Sequence, residues 1–188
     1  MPASEMWVNV VRFGVRARLG VGLGIVLAAS AVVAGQASAE SPAAQATHAE
    51  PLVPGTPCSV SARSCVDLES QQAWLLRDGT IVRGPVRISS GGEGEETPVG
   101  HSLRVYRKDK DHLSEESRLP NGDPAPMPWS VFFADGGIAF HGGSPDRDSA
   151  GCIHLEPADA EAWFNDLQIG DQVQVVKASE ELAARRAS

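Results

Sequence analysis

The sequence predicts a mainly β domain, a β-rich α+β fold of the β-sandwich kind with one or two short helices. About seven short runs rich in β-branched and aromatic residues follow one another, separated by glycine-containing turns. Asp78-Gly79 stands between two of these runs and is a strong hairpin signal. One stretch near the C-terminus has helical spacing instead. Many short strands with frequent turns and few helices favour a sandwich-like, mainly antiparallel domain.

The first 39 residues have the order of a secretory signal peptide. Arginines precede an uncharged apolar run over residues 19–34, and Ala37-Ser38-Ala39 is a small-x-small pattern that signal peptidases cleave. The apolar run also approaches the roughly 17–25 residues that a membrane-spanning helix needs. An uncleaved membrane anchor is therefore the alternative. Either interpretation predicts export across the cytoplasmic membrane. Residues 40–57 are rich in Ala, Pro, Ser, Thr and Gln, which predicts a flexible linker.

The predicted domain covers residues 58–178 and is followed by a polar tail at 179–188. The predicted strands lie along residues 66–68, 73–77, 80–83, 86–88, 102–107, 129–133, 138–141 and 172–176. Pro85 marks an edge or a bulge. The predicted helix rests on one apolar stripe, formed by Ala160, Trp163, Phe164 and Leu167. Residues 108–127 are charged and proline-containing, and they are interpreted as a loop that is either a lid or disordered, with the lid preferred.

Charge and cysteine content narrow the function classes. The formal net charge is −8, which disfavours nucleic acid and anionic membranes as partners. Contact with a membrane is then expected only through an uncleaved N-terminal segment. Cys58 and Cys65 enclose a short loop, and an exported chain can keep a disulfide there, with two free thiols as the alternative. Cys152 is the odd thiol and is a candidate for reactivity.

Residues 140–155 carry the chemical signal. His141 ends a predicted strand before Gly142-Gly143, and Cys152 follows Gly151. A thiol becomes strongly nucleophilic when an imidazole accepts its proton. Gly151 leaves a backbone amide that can face an oxyanion. The intervening loop is long enough to bring His141 to Cys152. Packing residues are the other interpretation, and spacing alone leaves both open.

The same stretch resembles the L,D-transpeptidase catalytic domain, also called the YkuD domain. That family's signature is a strand ending in His-Gly, a variable loop, and then Ser-x-Gly-Cys followed by an aliphatic residue, a polar residue and Leu or Met. Here it reads His141-Gly142 and then Ser149-Ala150-Gly151-Cys152-Ile153-His154-Leu155. Thr97-Pro98-Val99-Gly100 is similar to the family's Thr-Pro-x-Gly turn. The resemblance extends over about residues 65–177 and implies a YkuD-like β-sandwich.

The resemblance also implies roles for the matching residues. Cys152 is expected to attack a peptidoglycan stem peptide and form a thioester, with His141 as general base and acid. The backbone carbonyl of Gly142 is expected to orient His141, and amides around Gly151 to form the oxyanion hole. Peptidoglycan stem peptides are the expected partners and carbapenem-type compounds the expected inhibitors. No metal and no cofactor are expected.

Two positions depart from the family pattern. Ala150 replaces the common histidine, and His154 replaces the usual arginine or asparagine, which often contacts a substrate carboxylate. With Ser149, which is expected to hold the loop, these residues are predicted on the substrate side of the site. A histidine binds a carboxylate well only when it is protonated, so substrate affinity and pH optimum are expected to differ from the family's.

Three alternatives stay open at this point. One is an L,D-carboxypeptidase or another cysteine amidase on the same scaffold. Another is a wall-binding domain whose catalytic machinery is weakened. The third is a zinc site formed by His141, Cys152 and His154, against which stands the lack of a fourth ligand or a metal-binding spacing in the sequence.

Overall fold

The computed structural model describes residues 41–187, and β-strands dominate this part of the chain. The strands are β1 Ser64–Asp67, β2 Gln72–Arg77, β3 Thr80–Ser89, β4 Gly100–Arg104, β5 Arg107–Arg118, β6 Pro124–Ala134, β7 Ile138–Gly142, β8 Ile153–Leu155 and β9 Gln172–Val176. The helices are α1 Pro42–His48, α2 Pro157–Asp166 and α3 Ala178–Ala187. The predicted mainly β fold is confirmed. None of the helices in residues 41–187 is long and apolar enough to cross a membrane.

The nine strands form one hydrogen-bonded series that curls around a shared core. Their order is β4-β9-β1-β2-β3-β8-β7-β6-β5, and β3 connects the two halves. Most neighbours are antiparallel, but β1 pairs with β9 and β7 pairs with β8 in parallel. Val66 and Val175 of one half lie in the same buried cluster as Phe133 and Phe140 of the other. The two halves therefore enclose one core between them, as in a sandwich.

Helix α2 closes this core on one side. Its Trp163 is fully buried among the residues of that cluster. The indole N–H of Trp163 donates to Ser64 Oγ at 3.0 Å, so the one polar atom of a large buried ring has a partner. The helix predicted from the apolar stripe is thus present, and it packs against β6, β7 and β8.

The turn between β2 and β3 is the predicted hairpin. Asp78 has φ +50° and Gly79 has φ +72°, which is the left-handed conformation that a two-residue type I′ turn requires at both central positions. Glycine adopts it without steric cost and aspartate tolerates it. The sequence pair therefore determines this turn locally.

The prediction of a loop at residues 108–127 is wrong, because β5 and β6 form a long hairpin there. Pro126 and Pro128 lie opposite Leu113 and Asp111. A hydrogen-bonded antiparallel pair exchanges two N–H···O bonds, so a proline must occupy the other kind of pair. The backbone nitrogens of these prolines, which carry no hydrogen to donate, therefore face away from β5. Strand β7 pairs with β6 only from Val131 onward, so these prolines interrupt no ladder.

The segments on either side of the predicted domain also differ from expectation. Within the predicted linker 40–57, α1 is capped by Ser41, whose Oγ accepts the amide of Ala44 at 3.2 Å. Val53 is buried in a second core cluster with the Cys58–Cys65 disulfide, which the structure contains. The predicted tail 179–188 lies mostly in α3. The predicted signal peptide at residues 1–39 lies outside the described residues.

Polar contacts explain why the predicted linker and the predicted tail are ordered although their composition is polar. The Arg185 guanidinium on α3 donates to the backbone carbonyls of Thr47, His48 and Glu50. A capped helix held by such contacts needs no apolar stripe of its own. Sequence periodicity could therefore not reveal that this segment is ordered.

Candidate active site

The parallel pair β7 and β8 places the predicted catalytic residues side by side. His141 on β7 lies directly opposite His154 on β8, and Cys152 immediately precedes β8. All three line one cavity of about 640 Å³. The other predicted residues that line it are Gly142, Ser149 and Ala150. The sequence motif is thus assembled into a single site, although Cys152 lies eleven positions after His141 in the chain.

His141 is held as a neutral base. Its ring is buried and its Nδ1 donates to the Gly142 carbonyl at 3.1 Å. This bond places the ring proton on Nδ1 and leaves Nε2 as the acceptor. Burial, together with the smaller effect of the charge of His154, lowers the pKa of His141 to about 4, although the hydrogen bond to the Gly142 carbonyl opposes the shift. The imidazole is therefore uncharged near neutral pH and able to accept a proton.

Cys152 is likewise neutral in this conformation. Burial raises the pKa of its thiol, a backbone hydrogen bond from Ala139 opposes this, and the charge of Glu116 adds to the increase. The thiol donates weakly to the Gly137 carbonyl at a sulfur–oxygen distance of 3.8 Å. Among the residues that the structure describes, no hydrogen bond joins Cys152 to His141. The site is accordingly a neutral thiol beside a neutral imidazole, and not a preformed ion pair.

Ser149 shapes the loop that carries the thiol. Its Oγ donates to the Cys152 carbonyl and accepts the Gly151 amide at 3.1 Å. The expectation that the Gly151 amide is free to bind an oxyanion is therefore wrong for this conformation, because that N–H already has a partner. Gly151 instead provides backbone shape. It has φ +101°, and an added Cβ would lie 2.6 Å from Ile138 Cδ1. Of the amides expected around it, those of Ala150 and Cys152 stay candidates for the oxyanion hole.

Hydrogen bonds join the loop over residues 90–97 to the loop that carries Cys152. Thr97 Oγ1 donates to the Gly151 carbonyl at 2.7 Å and accepts the Gly91 amide at 2.9 Å. The Ser149 amide donates to the Ser90 carbonyl at 2.9 Å. The Thr-Pro-x-Gly turn noted in the sequence thus has a physical role at the site. Sequence reasoning recognised this turn but did not connect it with the cysteine loop.

His154 lines the cavity, and its ring is held by a backbone carbonyl. Its Nδ1 donates to the Ser144 carbonyl at 3.2 Å and also lies 3.1 Å from Ser89 Oγ. Burial lowers the pKa of His154, and the hydrogen bond to the Ser144 carbonyl opposes this decrease. Its ring meets the His141 ring edge-on, with centroids 4.8 Å apart. A neutral, partly buried His154 is poorly suited to bind a carboxylate. Three arginines line the same cavity and have the charge for it, namely Arg107, Arg118 and Arg147.

The β5–β6 hairpin forms the wall of the cavity facing the two histidines. Residues that sequence reasoning placed in a lid line it, and they include Ser114, Glu115, Glu116 and Met127. The wall carries charges of both signs, so it can contact both a carboxylate and an ammonium group. The high charge density of residues 107–118, which was interpreted as typical of a loop, is the sequence signal that this wall leaves.

The zinc alternative finds no support from ligand geometry at this site. In the described part of the chain, one group of histidine and carboxylate side chains has ligand atoms close enough together to hold an ion, and it does not include Cys152, His141 or His154. The Nδ1 atoms of His141 and His154 are bonded to backbone carbonyls.

Comparison with known proteins gives a consistent picture. The model of the family described as YkuD, L,D-transpeptidase catalytic domain, matches residues 61–175. An L,D-transpeptidase from Stackebrandtia nassauensis is similar in structure, with a TM-score of 0.53 and 28% identity over 60% of this chain and 54% of that one. No curated protein matches significantly.

Two mycobacterial structures share the fold at lower identity. L,D-transpeptidase 3 from Mycobacterium tuberculosis, in complex with a faropenem-derived adduct, has a TM-score of 0.54 and 21% identity over 62% of this chain and 60% of that one. An L,D-transpeptidase from Mycobacterium smegmatis has a TM-score of 0.54 and 20% identity over 63% and 59%. The chain thus spans a little more than half the length of these structures.

Proposed function

The chain belongs to the L,D-transpeptidase catalytic domain family, and from this premise we propose that it is an exported, cysteine-dependent L,D-transpeptidase that forms peptidoglycan cross-links. The observation that carries the proposal is the arrangement of His141 and Cys152. His141 lies on β7, Cys152 immediately precedes the adjacent parallel strand β8, and both residues line one cavity. The Gly142 carbonyl holds His141 in the tautomer whose Nε2 can accept a proton.

In the proposed reaction, Cys152 Sγ attacks the carbonyl carbon of an L-to-D peptide bond in a stem peptide. His141 Nε2 takes the thiol proton as the S–C bond forms, and the carbonyl oxygen becomes an oxyanion that the amides of Ala150 and Cys152 can bind. Collapse of this intermediate breaks the C–N bond, and the imidazolium gives its proton to the leaving amine. The product is a thioester on Cys152.

A second stem peptide then resolves the thioester. Its amine attacks the thioester carbonyl, His141 removes the proton from the amine, and the thiolate leaves as the new peptide bond forms. If water attacked instead, the enzyme would act as an L,D-carboxypeptidase. The cavity is lined by charges of both signs, which suit both partners. Arg147 can bind a stem carboxylate, and Glu115 or Glu116 can bind the cationic amine.

Export is supported by the cysteine chemistry. Disulfides persist in oxidising compartments and are rare in the cytosol, and Cys58 is bonded to Cys65. Together with the signal-like order of residues 1–39, this favours activity in the cell envelope, where peptidoglycan is found.

Intact-mass measurement with a carbapenem tests the proposal. We expect one covalent adduct per chain, absent from Cys152→Ala and retained by Ser179→Ala, a variant far from the cavity. An adduct that persists in Cys152→Ala would overturn the assignment of the nucleophile, and a folded wild-type chain that forms none would favour a wall-binding role.

Product analysis separates the two enzymatic outcomes. Purified stem peptides are incubated with the chain and the products are separated by mass. Cross-linked dimers support transpeptidation, whereas shortened monomers alone would replace it with carboxypeptidase activity.

A further inference from the structure

A second cluster of chemically capable side chains lies outside the active-site cavity. It joins His48 on α1, His101 on β4 and Glu181 on α3. Both Nε2 atoms approach the same carboxylate oxygen, Glu181 Oε2, at 3.2 Å from His48 and 2.6 Å from His101. All three ligand atoms lie within 4.8 Å of one another. The three residues are far apart in the sequence and meet only in the folded chain.

The cluster is buried and its carboxylate is oriented. The side chains of His48 and Glu181 are each 3% exposed and that of His101 is 17% exposed. Arg185 Nε donates to the other oxygen, Glu181 Oε1, at 2.7 Å. This contact leaves Oε2 directed at the two imidazoles. Outer partners that fix a ligand's orientation in this way are a usual feature of metal sites.

We propose that His48, His101 and Glu181 form a site for a divalent cation of the zinc type, with Nε2, Nε2 and Oε2 as its three protein ligands. Imidazole nitrogen and carboxylate oxygen are ligands that zinc accepts, at about 2.0–2.2 Å in a tetrahedral arrangement. Ligand atoms at such distances are about 3.3 Å apart. The contact of His101 with Glu181 must therefore lengthen slightly, and that of His48 hardly at all.

The bound form defines the tautomer of both histidines and leaves a fourth position. Zinc binds an imidazole through an unprotonated nitrogen, so with Nε2 as the ligand the ring proton is on Nδ1. An adjacent cavity of about 190 Å³, lined by all three ligands and by Glu180, has room for a water molecule as the fourth ligand. Three protein ligands and one water are a common zinc arrangement.

Charge sets the expected strength of binding. The Arg185 guanidinium repels a cation, and the attraction of Glu180 in the neighbouring cavity is offset by Lys177, which lines the same cavity and pairs with Glu180. We therefore expect binding in the micromolar range, weaker than in a site whose carboxylate has no cationic neighbour. The bound ion would connect α1 and α3 to β4, and so hold together the segments that precede and follow the catalytic strands. Its role would be structural and independent of Cys152 chemistry.

Zinc titration of the full-length, tag-free chain tests this site. The measurement uses the Cys152→Ala protein, so that the active-site thiol cannot supply a ligand. After treatment with a chelator, calorimetry is expected to find one zinc ion per chain. The melting temperature should rise by about 5 °C or more at a zinc concentration a hundredfold above Kd, because the ion binds only the folded state.

Single variants assign the ligands. His48→Ala and His101→Ala are each expected to weaken zinc binding at least tenfold and to remove the thermal shift. His112→Ala is the matched control, since His112 also contacts a carboxylate, that of Asp109, but lies outside the cluster. It should bind zinc as the parent does. Retained binding in both cluster variants, or no binding by the parent, would overturn the proposal.

If a variant fails to fold, X-ray absorption spectroscopy on the zinc-loaded Cys152→Ala protein still identifies the ligands. Two imidazoles in the coordination shell support the site. A shell without imidazole overturns it.

Discussion

Two histidine clusters in this protein place the same side chain in opposite electrostatic surroundings. In the catalytic cluster, His141 and His154 each donate to a backbone carbonyl and contact one another, without a carboxylate partner among the described hydrogen bonds. In the terminal cluster of His48, His101 and Glu181, both rings contact one buried carboxylate. A dipole orients a ring without charging it, whereas a carboxylate favours the charged or metal-bound form.

The carboxylate of the terminal cluster behaves accordingly. Burial by itself raises the pKa of Glu181, but hydrogen bonds from His101 and Arg185 outweigh burial and lower the pKa to about 2. The pKa of His141 is lowered to about 4 by burial. One cluster is therefore built to stay neutral and the other to keep a charge. This difference fits a general base in the first and a cation site in the second.

The largest expected effect concerns the neutral base. His141→Ala should slow acylation of Cys152 by a carbapenem about 10³-fold, because the thiol loses its proton acceptor. Stopped-flow or mass measurements of the acylation rate check this. His154→Gln is the matched control on the neighbouring strand and should slow the reaction less than tenfold. Equal losses in the two variants would contradict the assignment of His141 as the base.

The pH dependence of unfolding should separate the two clusters. An unfolded histidine titrates near 6.5 and His141 in the fold near 4, so protons bind the unfolded state first as the pH falls. Stability should therefore drop between about pH 6.5 and 4, by roughly 3 kcal/mol from His141. Glu181 titrates near 4.5 unfolded and near 2 folded. Its contribution is present above pH 4.5 and is lost between about pH 4.5 and 2.

Denaturant unfolding across this range measures both losses. In His141→Gln the loss between pH 6.5 and 4 should shrink, while the loss below pH 4.5 should stay. A pH profile that is identical in this variant and in wild type would show that His141 does not cause the loss in the upper range.

Removing the charge of the terminal cluster should have a smaller effect. Glu181→Gln removes the buried carboxylate charge that Arg185 and the two histidines contact, which should cost about 2–3 kcal/mol of the free energy of unfolding. Glu180→Gln is the control, because Glu180 is exposed and pairs with Lys177 on the surface. It should cost less than about 0.5 kcal/mol. Urea unfolding at neutral pH measures the loss of stability in both variants. Equal losses would show that the buried carboxylate of Glu181 contributes no more to stability than the exposed one of Glu180.

The smallest expected effect concerns the support of the catalytic cluster. Thr97→Val removes the hydroxyl that joins the Gly91 amide to the Gly151 carbonyl. Two buried backbone groups then lack partners, which should cost about 2 kcal/mol. Acylation should also slow, because the loop that carries Cys152 loosens. Thr80→Val removes one exposed hydroxyl contact and should alter neither stability nor acylation measurably.

Local signals in the sequence determined much of the fold and the identity of the site. The Asp78-Gly79 turn, the strand patterns and the stripe that buries Trp163 are set by neighbours within a few residues. The His-Gly and Ser-x-Gly-Cys segments named His141 and Cys152 directly, because each motif is contiguous. Local patterns did not predict the strand β6, because its prolines are typical of loops. Only the sheet shows that the proline nitrogens, which have no hydrogen to donate, face no partner strand.

Tertiary structure alone decided how these parts meet. In the folded chain, the Gly151 amide donates to Ser149 and Thr97 bonds the loop that carries Cys152. The segment predicted as a lid forms part of the cavity wall. The fold also brings together His48, His101 and Glu181, which come from segments that were predicted to be a linker, a strand and a tail. Such contacts join residues far apart in the chain, and their energy depends on burial and orientation, which no local pattern of residues contains.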